Sequence, residues 1–157
     1  MIEITLEPVD KTDNIKMLIN ASSEEHYNFL KRLEKGLKEG TNTFESAHEL
    51  LLCAKSSDGE IVAIGGIQAD PYVRNERIGR VRHLYVHPDY RRHKVGKLIL
   101  ERLLDFSRHH FDEVRLKTPY EGYENAASKF YEANGFIRSY QEEYSHVYKK
   151  KSDDTRI

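Results

Sequence analysis

The sequence is poor in the features that would place it in a special class. It holds a single cysteine, Cys53, among 157 residues, so no disulfide can form within the chain. That cysteine sits in the apolar run Leu50-Leu51-Leu52-Cys53-Ala54 with no activating neighbour, and it reads as a core thiol rather than a nucleophile. Neither charge is in excess: 25 Lys and Arg against 26 Asp and Glu leave a net charge of -1, and nucleic acid is not an expected partner. The longest apolar runs fall far short of the ~20 residues that span a bilayer, so no membrane partner is expected either. The N-terminal Met1-Ile-Glu-Ile-Thr-Leu-Glu lacks the basic head and apolar stretch of a secretory leader. A cytoplasmic location is the expectation.

What is present fits an ordinary globular protein, with 38% hydrophobic and 32% charged residues. The length suits one domain over residues 1–150, with 151–157 as a frayed tail. The N-terminal alternation predicts a first strand. Ile15, Leu18 and Ile19, and then Tyr27, Leu30, Leu33 and Leu37, recur at helical spacing and predict two amphipathic helices, the second leaving at Gly40. The period then changes. Glu49 to Ala54 and Ile61 to Ile67 flank Ser56-Ser57-Asp58-Gly59, a hairpin signal, and Arg77 to His87 follows as a third run. Val95, Ile99, Leu103 and Phe106 mark a helix with a strong buried face. Val114 to Thr118 reads as a strand, Glu124 to Asn134 as a helix closed by Gly135, and Phe136 to Tyr140 and Tyr144 to Lys149 as terminal strands. These elements predict a mixed α/β fold, a central sheet of six to seven strands with helices on both faces.

The segment His83-Leu-Tyr-Val-His-Pro-Asp-Tyr-Arg-Arg-His-Lys-Val-Gly-Lys-Leu runs from a strand through a basic loop into a helix N-terminus. Unpaired N–H groups in a first helical turn, with the positive end of the helix dipole, favour phosphate oxygens. Arg91, Arg92, Lys94 and Lys97 add cationic donors at the same point. A merely solvated basic cap is the competing reading of such a loop.

Two motifs in this region resemble the GNAT superfamily of N-acetyltransferases. Its cofactor loop has Arg or Gln, two variable residues, Gly, one variable residue, then Gly or Ala. Arg91-Arg92-His93-Lys94-Val95-Gly96 matches at both ends, with Lys94 where the first glycine usually stands. A left-handed backbone at that place would cost lysine about 1–2 kcal/mol. The second motif, a helix with Ala, three variable residues and Tyr that ends in Gly-Phe, matches Ala127, Tyr131, Gly135 and Phe136. The combined match covers residues 77–140, whereas the N-terminal part agrees only in the order of its elements. The resemblance implies acetyl-coenzyme A as co-substrate, held by Leu84, Tyr85 and Val86 at the strand end and by residues Arg91, Arg92, His93, Lys94, Val95, Gly96 and Lys97. It also implies pantetheine contacts from Asn125, one place later than the family's usual asparagine, and from Tyr131. Tyr131 would be the catalytic general acid that protonates the departing thiolate.

The family often places a glutamate or histidine base on the strand before the loop. Here those places hold Arg82 and Arg80, which share a strand face and cannot act as bases near neutral pH. They are either salt-bridged or solvent-facing, or they bind an anionic group of the acceptor. Glu121 and Glu124 are weaker candidates on the acceptor side, and proton loss to water needs no side chain at all. His83 falls on the opposite face by simple alternation unless a bulge intervenes. His83 and His87 lie about 13 Å apart along a strand, too far to share an ion, and no metal is expected. The expected activity is direct transfer of an acetyl group to a primary amine of a small molecule or peptide. The rival is a non-catalytic coenzyme A binding or regulatory domain. A homodimer stays open.

Overall fold

The structure is a computed structural model that describes residues 3–118 and 126–149. Its elements are β1 (Ile4–Pro8), α1 (Lys16–Glu24), α2 (Phe29–Glu39), β2 (Leu50–Ser56), β3 (Ile61–Ala69), β4 (Ile78–Val86), α3 (Val95–Ser107), β5 (Glu113–Leu116), α4 (Ala126–Ala133), β6 (Ile137–Arg138) and β7 (His146–Lys149). The strands form one sheet in the order β1-β2-β3-β4-β5-β7-β6. Only β4 and β5 run parallel; every other pairing is antiparallel. The fold is the expected mixed α/β sheet, at the upper end of the strand number.

Both faces of the sheet are covered, which explains the unbroken apolar runs of β2 and β3. On one face Leu51, Cys53, Ile61 and Ile64 meet Leu18, Ile19, Leu30 and Leu33 of α1 and α2. On the other, Leu52, Ala54, Val62 and Val81 meet α3. α3 contributes Val95, Ile99, Leu100, Leu103 and Leu104, all buried, at about 1.5–3 kcal/mol for each such side chain withdrawn from water. Cys53 is fully buried, and that burial pushes its thiol up to about 11, in line with an inert core residue.

The expected hairpin forms between β2 and β3, closed by Ser56 N–H to Glu60 O at 2.9 Å and Gly59 N–H to Ser56 O at 2.9 Å. The two C-terminal strands are shorter than the alternation suggested. A bond from Ser139 N–H to Ser145 O, at 2.7 Å, closes the connection early, so residues 139–145 turn and leave Tyr140 exposed. The tail 151–157, with Glu121, Glu124 and Asn125, lies outside the described residues. Among the described residues no helix is long and apolar enough to cross a membrane.

Two departures from regular pairing in β4 shape the site. The register with β3 jumps from Ile64↔Tyr85 to Gly66↔Arg82, so His83 and Leu84 together oppose Gly65. His83 takes the extra place with a left-handed φ of 64°, which makes this a β-bulge. Arg80 and Arg82 therefore face the α1 and α2 side as Tyr85 does, whereas Leu84 and Val86 turn to α3. His83 does not take the face that simple alternation assigned to it. Its ring lies between Phe29 and Phe44, with centroids 6.4 and 6.0 Å away. The second departure is that β4 pairs with β5 only over Ile78–Arg80, although β4 continues to Val86. Past Arg80 the two strands part.

The paired part of β4 needs a glycine for steric reasons. A Cβ on Gly79 would stand 2.6 Å from the buried ring of Phe111. Gly79→Ala should lower stability by about 1–3 kcal/mol through overpacking, read as a lower urea midpoint at unchanged slope.

Candidate functional site

The gap between the parted strands is the mouth of a cleft of about 880 Å³. Its walls come from β4, from the end of β5 at Leu116–Thr118, from the N-terminus of α3 and from α4, while Tyr27, Phe29 and Arg32 close it on the α1 and α2 side. The two sequence motifs thus meet across one cavity. Among the described residues eight cationic side chains line it against one carboxylate, Glu25, so this described lining is predominantly positive although the chain carries a net charge of -1.

At one end the chain leaves β4 through a short 3-10 turn, Pro88–Tyr90, in which His87 Nδ1 accepts from Asp89 N–H at 3.1 Å. It then enters α3 through Arg92 and Lys94, both left-handed, with φ of 71° and 62°. Among the described residues no acceptor is found for the backbone N–H groups of residues 92–97; the first bond into the helix is Leu98 N–H to Lys94 O at 3.0 Å. This is the unsatisfied first turn of a thirteen-residue helix, the kind of place where phosphate oxygens are held by backbone alone. Gly96 lies on the cleft wall, where a Cβ would come within 3.3 Å of Val86 Cγ2 and 3.6 Å of the Phe130 ring.

Arg91 has a different role from its loop neighbours. Its guanidinium forms a two-pronged pair with Glu25 at 2.7 and 2.9 Å, donates to Val86 O at 3.0 Å and lies over the Tyr85 ring. The Tyr85 hydroxyl also donates to Glu25. The Arg91 hydrogen bonds hold the Glu25 carboxyl below its usual range despite partial burial. Arg91 therefore ties the loop to the end of α1, and Arg92, Lys94 and Lys97 are left facing the cleft. Tyr85 is directed to this clamp, so its side chain does not share a wall with Leu84 and Val86.

At the far wall α4 presents Ala126, Ala127, Phe130 and Tyr131. Tyr131 packs edge-on to Phe130 and Phe136 at 5.2 and 5.5 Å between centroids. Desolvation by these neighbours pushes its phenol above the ordinary value, so the group stays protonated at neutral pH. Behind it, buried His146 joins Glu132 of α4 at 2.8 Å to Ser145 at 2.9 Å, and Ser145 Oγ accepts from Thr118 N–H at 3.0 Å. This chain of bonds links α4 to the end of β5, and so couples two walls of the cleft.

The third wall carries the two arginines that stand where a base was sought. Arg80 is salt-bridged: it reaches buried Asp70 at 3.3 Å and Glu143 O at 2.9 Å, and lies over the Tyr72 ring at 4.7 Å. Arg82 instead donates to a neutral amide, Gln68 Oε1, at 2.8 Å. His83 is held neutral: burial, then the charges of Arg82 and Arg32, push its imidazole down to about 3. It is a weak base. Glu25, Asp70, Gln68 and Arg32 escaped the sequence reading because their contacts join distant segments.

Lys94 occupies its place against its own backbone preference, at φ 62° and ψ 19°. Lys94→Gly should raise stability by about 1 kcal/mol, the relief of a left-handed lysine less part of glycine's entropy cost, measured as a higher urea midpoint.

Comparisons with known proteins agree with this fold. A model of the acetyltransferase (GNAT) domain matches residues 47–138, which include β2 to β6 and both motifs. No curated protein matches the chain in sequence. Among solved structures, one from Exiguobacterium sp. 255-15 assigned as an acetyltransferase superposes with a TM-score of 0.85 at 26% identity, covering 98% of this chain and 99% of its own. An acetyltransferase of GNAT family from Staphylococcus aureus Mu50 gives 0.72 at 17% identity, covering 95% and 100%. Glucosamine-6-phosphate N-acetyltransferase from Arabidopsis thaliana gives 0.63 at 18%, covering 88% and 95%. The last two share the fold. With the domain model spanning the parted strands, the loop and α4 together, the chain belongs to the GNAT acetyltransferase family.

Proposed function

We propose that this chain is an N-acetyltransferase that uses acetyl-coenzyme A and a primary amine of a small molecule or peptide. The observation that carries the reading is the single cleft running from the free N–H groups of residues 92–97 to Tyr131. The pyrophosphate of coenzyme A fits the first end, where backbone donors and the helix dipole are met by Arg92, Lys94 and Lys97. The pantetheine arm fits the gap between β4 and β5, whose unpaired edges offer backbone groups beside Leu84 and Val86.

The bound thioester supplies an activated acyl carbon. Tyr131 holds its proton for the sulfur: as the amine nitrogen bonds to the carbonyl carbon and the C–S bond breaks, the phenol donates to the departing thiolate. Solvent then restores the phenol with the proton that the amine has shed. No carboxylate among the described cleft residues is free to take that proton, since Glu25 is held by Arg91 and Tyr85. Water along the cleft does so in this reading. Cys53 is buried in the core and no covalent acyl-enzyme is invoked.

Calorimetry should detect acetyl-coenzyme A binding, and a combined change of Arg91, Arg92 and Gly96 should abolish it. Tyr131→Phe should lower single-turnover thiol release about 100-fold while cofactor affinity stays within about twofold. Unchanged turnover would make Tyr131 a packing residue. Tight cofactor binding with no transfer to any amine would instead favour a non-catalytic coenzyme A binding domain.

A further inference from the structure

The positive charge of the cleft is not evenly matched. At the loop end, Arg92, Lys94 and Lys97 have an evident counterpart in a pyrophosphate. Arg32, Arg80 and Arg82 stand at the other end, with Arg82 four residues before Val86, about 13 Å along a strand. Arg82 and the loop thus leave β4 from different parts of the strand, on opposite sides of the bulge. Of these three, only Arg80 meets a carboxylate, Asp70 at 3.3 Å.

Arg82 is more than half withdrawn from solvent, yet its partner is the neutral side-chain oxygen of Gln68. The nearest further carboxylate in that network, Glu49, is one hydrogen bond removed, on the Gln68 amide nitrogen at 2.8 Å. Arg32, on α2, forms no ion pair among the described residues. It lies near enough for its charge to bear on both Arg82 and His83. Asp70 lends Arg82 some compensating charge, but it is paired directly with Arg80; a partly buried guanidinium without an ion pair of its own is costly, and like charges facing one cavity add mutual repulsion. An anion between them removes both costs. The aromatic rings of Tyr27, Phe29 and Tyr72 around the same space limit water there and strengthen such a pair.

Resting on the acetyltransferase reading, we infer that the acceptor amine carries an anionic group, a carboxylate or a phosphate monoester, held between Arg82 of β4 and Arg32 of α2. Arg80 is not the anion's ligand; it is a positioning residue, which its pair with Asp70 and its bond to the Glu143 carbonyl fix against the sheet. Planar guanidinium forks match either oxyanion two-pronged, and the two groups approach from different elements. The subsite therefore selects by charge and leaves the amine directed toward the thioester end.

The test uses the full chain, saturated with acetyl-coenzyme A for turnover and with coenzyme A for the binding arm, so that the loop's own anion site is filled in both. Paired acceptors are compared, amino acids with their amides and aminoalkyl phosphates with their aminoalcohols. At least one anionic member should exceed its neutral partner tenfold or more in kcat/KM, mainly through KM. Arg82→Gln and Arg32→Gln should each bring that ratio close to one. In parallel, inorganic phosphate is titrated into the labelled protein and followed by NMR. The His83 ring signals should move in the wild type and not in Arg82→Gln, whose folding the unchanged remaining spectrum verifies. The pair that shows the preference distinguishes carboxylate from phosphate. Equal efficiency within every pair, or a preference that survives both variants, overturns the inference. Should no amine be acetylated, the acetyltransferase reading fails, and the phosphate titration alone then decides whether the anion site exists.

Discussion

The site depends on one backbone event, the insertion of His83 into β4. Without it, strand alternation would carry Leu84 and Val86 to the side of Arg80 and Arg82, and put Tyr85 on the side of α3. The bulge reverses that parity halfway along the strand. Upstream, the polar residues face the cavity under α1 and α2. Downstream, the small apolar side chains face α3, and Tyr85 reaches Glu25. Bulges also bend and twist the strand that holds them, which accords with β4 losing β5 immediately before this point. One extra residue thus relates an apolar channel, a clamp on the loop and a cationic wall.

Electrostatics then divides the labour among residues that composition alone treats as alike. Arg80 and Arg91 are both committed within the protein, one to Asp70 and the other to Glu25. Each fixes an element that borders the cleft: Arg80 ties β4 to the β3–β4 loop at Asp70 and to the β6–β7 connection at Glu143, and Arg91 ties the approach to α3 to the end of α1. Among the described residues, the cleft cations left without an internal carboxylate are Arg92 and Lys94 at one end, Arg82 and Arg32 at the other, and Lys117, which donates to Glu142 O at 3.1 Å. Internal pairing therefore separates structural arginines from those open to a ligand, a distinction that neither charge count nor position in a motif reveals.

Much of the scaffold was legible because local periodicity encodes it. The α3 face, the hairpin at Ser56–Gly59 and the end of α2 at Gly40, with φ 77°, each follow from a few consecutive residues. The loop and α4 were also legible, through residue spacing. What escaped depends on contacts between distant segments. Nothing near His83 marks a bulge, since the residue is not a glycine, and the strain is compensated by rings from α2 and from Phe44. The Arg91 and Glu25 pair joins positions 66 residues apart, and Glu25 follows a helix end with no signal of its own. Strand alternation did bring Arg80 and Arg82 to one wall, but their different fates rest on Asp70 and Gln68, which only the register of β3 against β4 supplies.

Backbone strain leads to the same place by an independent route. Among the described residues five that are not glycine have left-handed backbones, and three of them, His83, Arg92 and Lys94, line the cleft. A fourth, Phe44, packs against the His83 ring. At roughly 1–2 kcal/mol each, such a set amounts to a sizeable part of the 5–15 kcal/mol that keeps a typical domain folded. It persists only because the buried faces of α3 and of α1 and α2 over-determine the surrounding chain. The left-handed turns at Arg92 and Lys94 also separate the N–H groups of residues 92–97 from the carbonyls that a continuous helix would have supplied. Strain and unsatisfied donors are thus two aspects of one loop conformation, which a bound oxyanion would help to stabilise. The outliers mark the cleft without reference to any motif, and the motif locates it without reference to any dihedral angle.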